Sequence, residues 1–527
     1  MASDTPDPAS PAPAANGPAA DGPAADGPAV SRADVASGAA LSGLARMGAI
    51  IEIVTQPAFV WMFGLATYGS YVVLWAAVNV LSTLTTLSLA QGLQRAIPSA
   101  ASREAEHGVV RYALLVTVLP SAFVALCITL AAPALAPQFS VEPAMRPHLP
   151  ALIALFVWTL PLTVALEIAT AAARARRAFG PEIRLRIFWE QIARLIVAVA
   201  LYALGVRLFG LFVAHIVSLG VTAWLSLRLL GRYYDLGLLW RAPMPPALRH
   251  DTLKSGLATM PPNLARRAFN DLPPVLLGLA LSGGGGAVAA GLFGIARKIA
   301  SVPLIVRQTF LYVLAPLSAA QRAADRAQIA PLYRFANRIA AIIVLPLTAV
   351  MIAGGDATLL LFSPEAADAL PVLIVLLVGR AGETILGAAT PIVEMTGHRL
   401  LPLANSIAGL AIAALVGWLT VDDMGAVGMA LAVSAGVIVS SWAAVAELWI
   451  SDRLGPFDRH FLRALACGIT GFAALWLVGW LFQGLGMVPR AAIQFACFFP
   501  LVWLGLKFGL DAEDKAALGK AGRKLAL

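Results

Sequence analysis

The sequence predicts an all-α polytopic membrane protein with about fourteen transmembrane helices. Of its 527 residues, 59% are hydrophobic and only 13% are charged, whereas soluble globular domains contain about 25% charged residues. Apolar runs long enough to cross a bilayer, about 20 residues each, follow one another from Leu41 to Leu510. Backbone groups in lipid must form hydrogen bonds within their own segment, so each run is predicted to be a helix. This composition excludes soluble enzymes and nucleic-acid-binding proteins.

Charge in the connections supports the number of spans. The connections after even-numbered spans, together with the C-terminal tail, carry 26 basic residues, whereas the opposite connections carry three, Arg146, Arg207 and Arg490. Because basic loops stay on the cytoplasmic side, both termini are predicted to be cytoplasmic. The approximate limits of the fourteen spans are 41–64, 67–92, 112–136, 149–172, 187–206, 209–230, 255–281, 286–312, 335–355, 370–395, 401–420, 425–450, 463–483 and 489–510.

The spans fall into two similar halves. Leu149-Pro150 and Leu370-Pro371 open two spans 221 residues apart, and Gly210 and Gly428 repeat at nearly the same offset. Because internal repeats are common in transporters, the sequence predicts two six-helix lobes and an extra pair of helices. The predicted organisation is a disordered cytoplasmic tail (1–38), an N-lobe (39–230), a cytoplasmic linker (231–254), a C-lobe (255–450), two further helices (451–510) and a basic amphipathic cytoplasmic tail (511–527).

Several charged residues lie deep within the predicted spans. A charge at the bilayer centre costs about 3 kcal/mol, so these side chains must face each other or water. Some are spaced for local pairing, Arg267 with Asp271 at i,i+4 and Arg380 with Glu383 at i,i+3. The five basic residues are Arg266, Arg267, Arg297, Lys298 and Arg380, and the three acidic ones are Glu52, Asp271 and Glu383.

The pairing leaves a cationic surplus. Once both local pairs are set aside, Arg266, Arg297 and Lys298 oppose only Glu52, which leaves a net charge near +2. Guanidinium groups match phosphate oxygens well, and a diphosphate diester carries about two negative charges. The surplus therefore favours a hydrated cavity for an anionic ligand, with purely structural ion pairs as the alternative.

Other features of the sequence limit the possible chemistry. Cys127, Cys467 and Cys497 all lie in apolar runs, so neither a disulfide nor a metal site is predicted. No cofactor motif is present, and the opposite connections are too short for the active-site loop of a membrane enzyme.

His215 is interpreted either as a packed histidine or as a proton relay. Four prolines predict joints in the span 255–281.

Five short motifs resemble one known family. They are GLATYGSY at 64–71, QGL at 91–93, FND at 269–271, GLFGIARKI at 291–299 and GAVGMALA at 425–432. Together they resemble polysaccharide-biosynthesis flippases, the Wzx-type O-antigen branch of the multidrug/oligosaccharidyl-lipid/polysaccharide exporter superfamily. The resemblance spans residues 41–450.

The resemblance implies a V-shaped pair of lobes around a central cavity and a function without covalent catalysis. Members of this branch move undecaprenyl-diphosphate-linked oligosaccharide from the cytoplasmic to the periplasmic leaflet of the bacterial inner membrane by alternating access. The expected partners are this substrate, membrane lipids, a glycan polymerase and glycosyltransferases, and a monomer is expected. On this hypothesis Arg266, Arg267, Arg297, Lys298 and Arg380 bind the diphosphate, while Glu52, Asp271 and Glu383 serve as counter-charges or coupling groups.

Two other functions within the superfamily remain open. Lipid II flippases also have fourteen helices, but their pattern places basic residues in the first two spans, where this sequence offers only Arg46. Multidrug exporters rely on acidic membrane residues, which basic residues outnumber at this depth.

Overall fold

The computed structural model describes residues 55–176, 184–244, 246–281, 285–307, 326–395, 401–518 and 523. Over these ranges the chain is helical and contains no β-strand, which confirms the predicted fold class. Glu52 and the predicted tail 1–38 lie outside the described residues, as does most of the chain beyond residue 518.

The first half of the described chain contains ten helices. They are α1 (55–63), α2 (Leu65–Thr86), α3 (Leu89–Ala96), α4 (Arg103–Leu135), α5 (Leu149–Phe156), α6 (Thr159–Ala175), α7 (Glu190–Ala203), α8 (Gly210–Tyr233), α9 (Leu236–Arg241) and α10 (Pro246–Ala280).

The second half of the described chain contributes ten more labelled helices. They are α11 (Gly285–Ile299), α12 (Arg326–Ala353), α13 (Gly355–Leu360), α14 (Leu370–Leu386), α15 (Ala389–Met395), α16 (Leu401–Met424), α17 (Ala426–Ser451), α18 (Arg459–Leu481), α19 (Met487–Gly509) and α20 (Ala512–Ala517).

Eleven segments within the described residues are long and apolar enough to cross a membrane, and each matches one of the fourteen predicted spans. The other three predicted spans are not among these eleven segments, each for a different reason. The span 41–64 lies largely outside the described residues. The span 187–206 contains only the short helix α7, which follows a π-helical turn at Arg184–Trp189. The span 255–281 belongs to α10, which carries several charged residues midway.

Prolines interrupt some helices but not others. α10 continues through Pro261, Pro262, Pro273 and Pro274, so the predicted joints do not end its helical structure. By contrast, α11 stops at Ile299 and a short helical turn resumes at Pro303. Proline lacks an N–H and clashes with the preceding turn, which accounts for this break.

Helix α2 lies at the contact between the two lobes. It packs against α10 and α11 of the C-lobe along most of its length. The largest hydrophobic core accordingly contains residues of both lobes, for example Tyr71 and Phe212 from one and Phe293 and Leu373 from the other. The lobes are therefore in close contact in this conformation.

The two ends of the helical bundle differ in charge. What we call the basic end is the end of the bundle that contains Arg176, directly after α6, and Arg334, near the start of α12. At the opposite end, residue 140 connects the lobes through backbone hydrogen bonds. The Ser140 N–H donates to the carbonyl oxygen of Gly278 at 2.8 Å, and the Ala287 N–H donates to the carbonyl oxygen of Ser140 at 3.0 Å. These bonds join the lobes at the opposite end.

Candidate functional site

Charged residues on four segments of the C-lobe form, or adjoin in sequence, one group of ion pairs. Helix α10 supplies two arginines and an aspartate, the end of α11 supplies two basic residues, the turn after Pro303 supplies one arginine, and α14 supplies an arginine and a glutamate. We call this group the cationic cluster. Its members are Arg266, Arg267, Asp271, Arg297, Lys298, Arg307, Arg380 and Glu383.

Asp271 is shared by two arginines. Its side chain is buried, and its two carboxylate oxygens lie 3.1 Å from Arg267 Nη1 and 3.5 Å from Arg297 Nη1. The local pair of Arg267 with Asp271 is therefore confirmed. The sequence interpretation that left Arg297 without this partner is wrong, because α11 packs beside α10 and brings the two residues together.

Glu383 is also shared by two arginines. Its Oε2 lies 2.6 Å from Arg380 Nη1, as the local spacing predicts, and its Oε1 lies 2.6 Å from Arg307 Nη1. Arg307 is missing from the sequence-predicted site because it lies near the predicted end of its span. In the sequence, Pro303 is the one signal that could have indicated that Arg307 joins this site, because proline breaks the helix before it.

Asn270 connects the two carboxylate centres. Its side-chain oxygen accepts a hydrogen bond from Arg380 Nη2 at 3.4 Å, and its backbone oxygen accepts one from Arg297 Nη1. Its side-chain amide donates to the backbone oxygen of Arg266 at 2.9 Å. Six charged side chains are thus connected in one network, namely Arg267, Asp271, Arg297, Arg307, Arg380 and Glu383.

Arg266 and Lys298 lie at the edge of this network. Arg266 is exposed, and its guanidinium donates to Asn263 Oδ1 at 2.5 Å. Within the described residues, no carboxylate lies within salt-bridge distance of Arg266. Lys298 is partly buried next to Arg297 at the end of α11.

The ion-paired part of the cluster carries a net positive charge. Over the described residues, four arginines, Arg267, Arg297, Arg307 and Arg380, share two carboxylates, a formal excess of two. Burying unbalanced charge in a membrane protein is unfavourable unless water or a counter-ion is present. The excess therefore suits an anionic ligand with several oxygen atoms.

A cavity outside the cationic cluster is lined by acidic rather than basic side chains. A cavity of about 590 Å³ lies at the opposite end, between the α1–α2 corner and α11, and contains no member of the cationic cluster. The charged residues that line it are Glu142, Glu365 and Asp368. Among the described residues, no group of three His, Cys, Asp or Glu side chains is arranged to hold a metal ion.

A second polar cluster is buried in the N-lobe. His215 is fully buried beside Trp75, and its Nδ1 lies 3.0 Å from the Tyr71 hydroxyl. Arg194 Nη2 lies 2.5 Å from Glu190 Oε1, and its Nη1 donates to the Tyr71 hydroxyl at 3.3 Å. His215 is thus packed in the protein interior. The pair of Arg194 with Glu190 was not predicted, although their i,i+4 spacing on a helix indicates it.

A family model described as "Polysaccharide biosynthesis protein" matches residues 28–364, more than half of the chain. The chain belongs to this polysaccharide biosynthesis family. The resemblance inferred from the short motifs is therefore confirmed. No curated protein matches the sequence significantly.

Solved structures of a flippase and of multidrug transporters share the fold of this family member. A lipid II flippase MurJ in an inward closed conformation has a TM-score of 0.70 at 9% identity, over 89% of this chain and 98% of that one. An inward-facing multidrug resistance MATE family transporter of the MOP superfamily has a TM-score of 0.60 at 18% identity, over 77% and 98%. A Vibrio cholerae MATE transporter in the bent form has a TM-score of 0.53 at 14% identity, over 83% and 100%.

Proposed function

We propose that this protein is a flippase that moves undecaprenyl-diphosphate-linked oligosaccharide from the cytoplasmic to the periplasmic leaflet by alternating access. The observation that carries the proposal is the excess of basic side chains in the cationic cluster. Membership of the polysaccharide biosynthesis family supports the substrate class.

The proposed mechanism depends on exchange of counter-ions. Arg266 and Lys298, at the edge of the cluster, bind diphosphate oxygens first. Arg267, Arg297 and Arg380 then turn from Asp271 and Glu383 toward the ligand, because each carboxylate already divides its charge between two arginines. When the head group leaves, the carboxylates pair with the arginines again. Glu52 remains a further proposed counter-charge.

The proposed setting follows the sequence prediction. The basic end faces the cytoplasm of a bacterial inner membrane, and both termini lie on that side. The polyprenyl tail stays in lipid while the head group passes between the N-lobe (39–230) and the C-lobe (255–450). The protein works as a monomer without covalent catalysis, and glycosyltransferases and a glycan polymerase act before and after it.

The proposal is tested by removing charge from the cluster. The double variant Arg297→Gln, Lys298→Gln is expected to abolish surface-glycan complementation in a deletion strain while membrane insertion stays normal. Arg207→Gln is a matched control, because Arg207 is exposed and lies over Tyr202 rather than in the cluster. Full complementation by the double variant would contradict the proposal.

A lipid II flippase is the second candidate function, since the solved MurJ structure shares the fold over 89% of the chain. The two functions differ in the intermediate that accumulates on the inner leaflet when the protein is removed. Lipid-linked oligosaccharide supports the first candidate and lipid II supports the second. Unchanged glycan together with new drug sensitivity would favour a multidrug exporter, the fold of which is also shared.

A further inference from the structure

The second predicted span is broken at its basic end by a strained turn. α2 ends at Thr86 and α3 begins at Leu89, and between them Leu87 and Ser88 have φ values of 49° and 53°. This left-handed conformation costs on the order of 1–3 kcal/mol for a residue other than glycine. Two consecutive residues retain it only where surrounding contacts hold them.

Helix α10 of the C-lobe provides those contacts. Asn263 Nδ2 donates a hydrogen bond to Ser88 Oγ at 3.1 Å. One α10 residue at the same contact must be glycine, because a Cβ on Gly256 would lie 2.7 Å from the carbonyl oxygen of Leu87. The strained turn of the N-lobe therefore packs directly against α10 of the C-lobe.

The same asparagine contacts the cationic cluster. Its Oδ1 accepts the hydrogen bond from Arg266, and its Nδ2 makes the bond to Ser88. The two bonds orient the amide, since its oxygen faces the donor guanidinium and its nitrogen faces the hydroxyl oxygen. Arg266, Asn263 and Ser88 thus form a continuous connection from the cluster to the contact between the lobes.

We propose that Asn263 is a positioning residue that couples anion binding at Arg266 to separation of the lobes at the basic end. This inference rests on the proposed function. An anion that draws Arg266 away leaves the Asn263 amide free to rotate and weakens its bond to Ser88. The turn at 87–88 then relaxes to the right-handed conformation, which joins α2 and α3 into one helix and moves it off α10.

The coupling can be measured on the full-length protein in nanodiscs. Spin labels at the exposed residues Gln94 and Ser451 report the distance between the lobes at the basic end. The three native cysteines are replaced by serine. Inorganic pyrophosphate is the probe, and its affinity is measured by calorimetry on the same samples.

Two substitutions of Ser88 distinguish the effect of its hydrogen bond from the effect of the backbone strain on the resting conformation. Ser88→Ala removes the hydroxyl but keeps the strain, and it is expected to raise the resting ratio of separated to closed molecules about fivefold, the effect of one typical hydrogen bond. Ser88→Gly removes both, because glycine adopts positive φ readily, and it is expected to return the ratio to the wild-type value. Thr85→Ala is the control, since Thr85 Oγ1 bonds only to carbonyl oxygens of its own helix.

Asn263→Ala tests the coupling itself. The variant is expected to raise the resting ratio of separated to closed molecules about fivefold, as Ser88→Ala does, and to show no further distance change with pyrophosphate, while its pyrophosphate affinity is unchanged or higher. A wild-type distance response in both Asn263→Ala and Ser88→Ala, with normal pyrophosphate binding, would overturn the inference and leave the proposed function standing. Failure of the wild-type protein to bind pyrophosphate would instead overturn the proposed function.

Discussion

Each carboxylate of the cationic cluster serves two arginines, but the two centres differ in exposure. Arg380 is almost buried beside Glu383, with 8% of its side chain exposed. Arg267 beside Asp271 is 40% exposed and Arg297 is 19% exposed. Arg307, the second partner of Glu383, is 26% exposed, so the difference between the two centres rests on Arg380. Arg380 can be hydrated far less easily than Arg267 when its carboxylate is removed, so the two carboxylates contribute differently to stability.

We therefore expect Glu383→Gln to destabilise the protein more than Asp271→Asn. Leaving a buried charge without its partner costs about 3–5 kcal/mol, whereas partly exposed pairs contribute about 1 kcal/mol or less. Thermal unfolding in detergent, followed by intrinsic fluorescence, measures the difference. Equal melting temperatures for the two variants would contradict this expectation.

The sequence predicted the contacts that depend on helix periodicity and missed those that depend on tertiary packing. Arg267–Asp271 and Arg380–Glu383 follow from residue spacing within one helix. Arg297–Asp271 and Arg307–Glu383 depend on how α11 and the turn after Pro303 pack against α10 and α14. No periodicity within a single helix contains that information.

At the scale of elements, one arginine attaches the last two long helices to the C-lobe. Arg338 of α12 lies 2.7 Å from Asp458 at the start of α18, and 3.1 Å and 2.6 Å from Asp511 and Asp514 of the α20 segment. The residues that dock the C-terminal segment on the protein are thus acidic. Binding of its basic residues to lipid headgroups stays a prediction.

The two aspartates of this segment respond oppositely to their surroundings. Burial tends to raise the pKa of Asp511, but the Asp514 N–H, Arg338 and His460 outweigh it and lower that pKa. Burial, together with the charge of the neighbouring Asp511, raises the pKa of Asp514 more than Arg338 lowers it. The charged form is therefore favoured by folding at Asp511 and disfavoured at Asp514.

Neutral substitutions at the two positions should consequently have opposite effects on the docking of α20. At pH 7, Asp511→Asn is expected to loosen α20, whereas Asp514→Asn is expected to leave it docked or to stabilise it. As pH falls below the usual aspartate pKa, the wild-type protein loses the contribution of Asp511 and comes to resemble Asp511→Asn. Limited proteolysis of the C-terminal segment at each pH measures docking. Greater cleavage of Asp514→Asn than of Asp511→Asn at pH 7 would refute the assignment.

The contact between α2 and α11 depends on small residues. A Cβ on Gly69 would overlap the backbone carbonyl of Ala287, and Gly291 lies directly opposite. Substituting Gly69 with alanine is expected to push the lobes apart at the opposite end. A cysteine at position 140 should then react at least about tenfold faster with a membrane-impermeant thiol reagent, as expected for a contact weakened by 1.4 kcal/mol. Gly220→Ala, where no atom lies within 4 Å of the added Cβ, provides the control.

At the scale of the whole molecule, composition and loop charge determined much of the architecture. All eleven membrane-length segments in the described residues match predicted spans, because bilayer thickness sets their length. The break at 87–88 and the close contact of the lobes were not predictable, since they depend on contacts between distant segments, whereas Pro303 marks the break at 300–302 in the sequence itself. The lobe boundaries at 230 and 255 remain predictions.

The orientation of the molecule is open to a direct test. If the basic end is cytoplasmic, impermeant reagents applied to intact spheroplasts should label cysteines placed at Arg207 and Arg490 and spare one placed at Arg453, whereas permeabilised cells should label all three. The expected contrast follows from the distribution of basic residues. Labelling of position 453 in intact spheroplasts would reverse the proposed topology.

The bonds of Ser140 with Gly278 and Ala287 join peptide groups and involve no side chain. Ser140 is nevertheless buried, and its Cβ lies close to Gly286, so a small replacement such as alanine should keep both bonds, whereas lysine or another large side chain should disturb the contact. Proline should abolish one bond outright, because it has no amide hydrogen to donate to Gly278. A saturation library at this position should therefore accept small residues and reject proline together with large side chains.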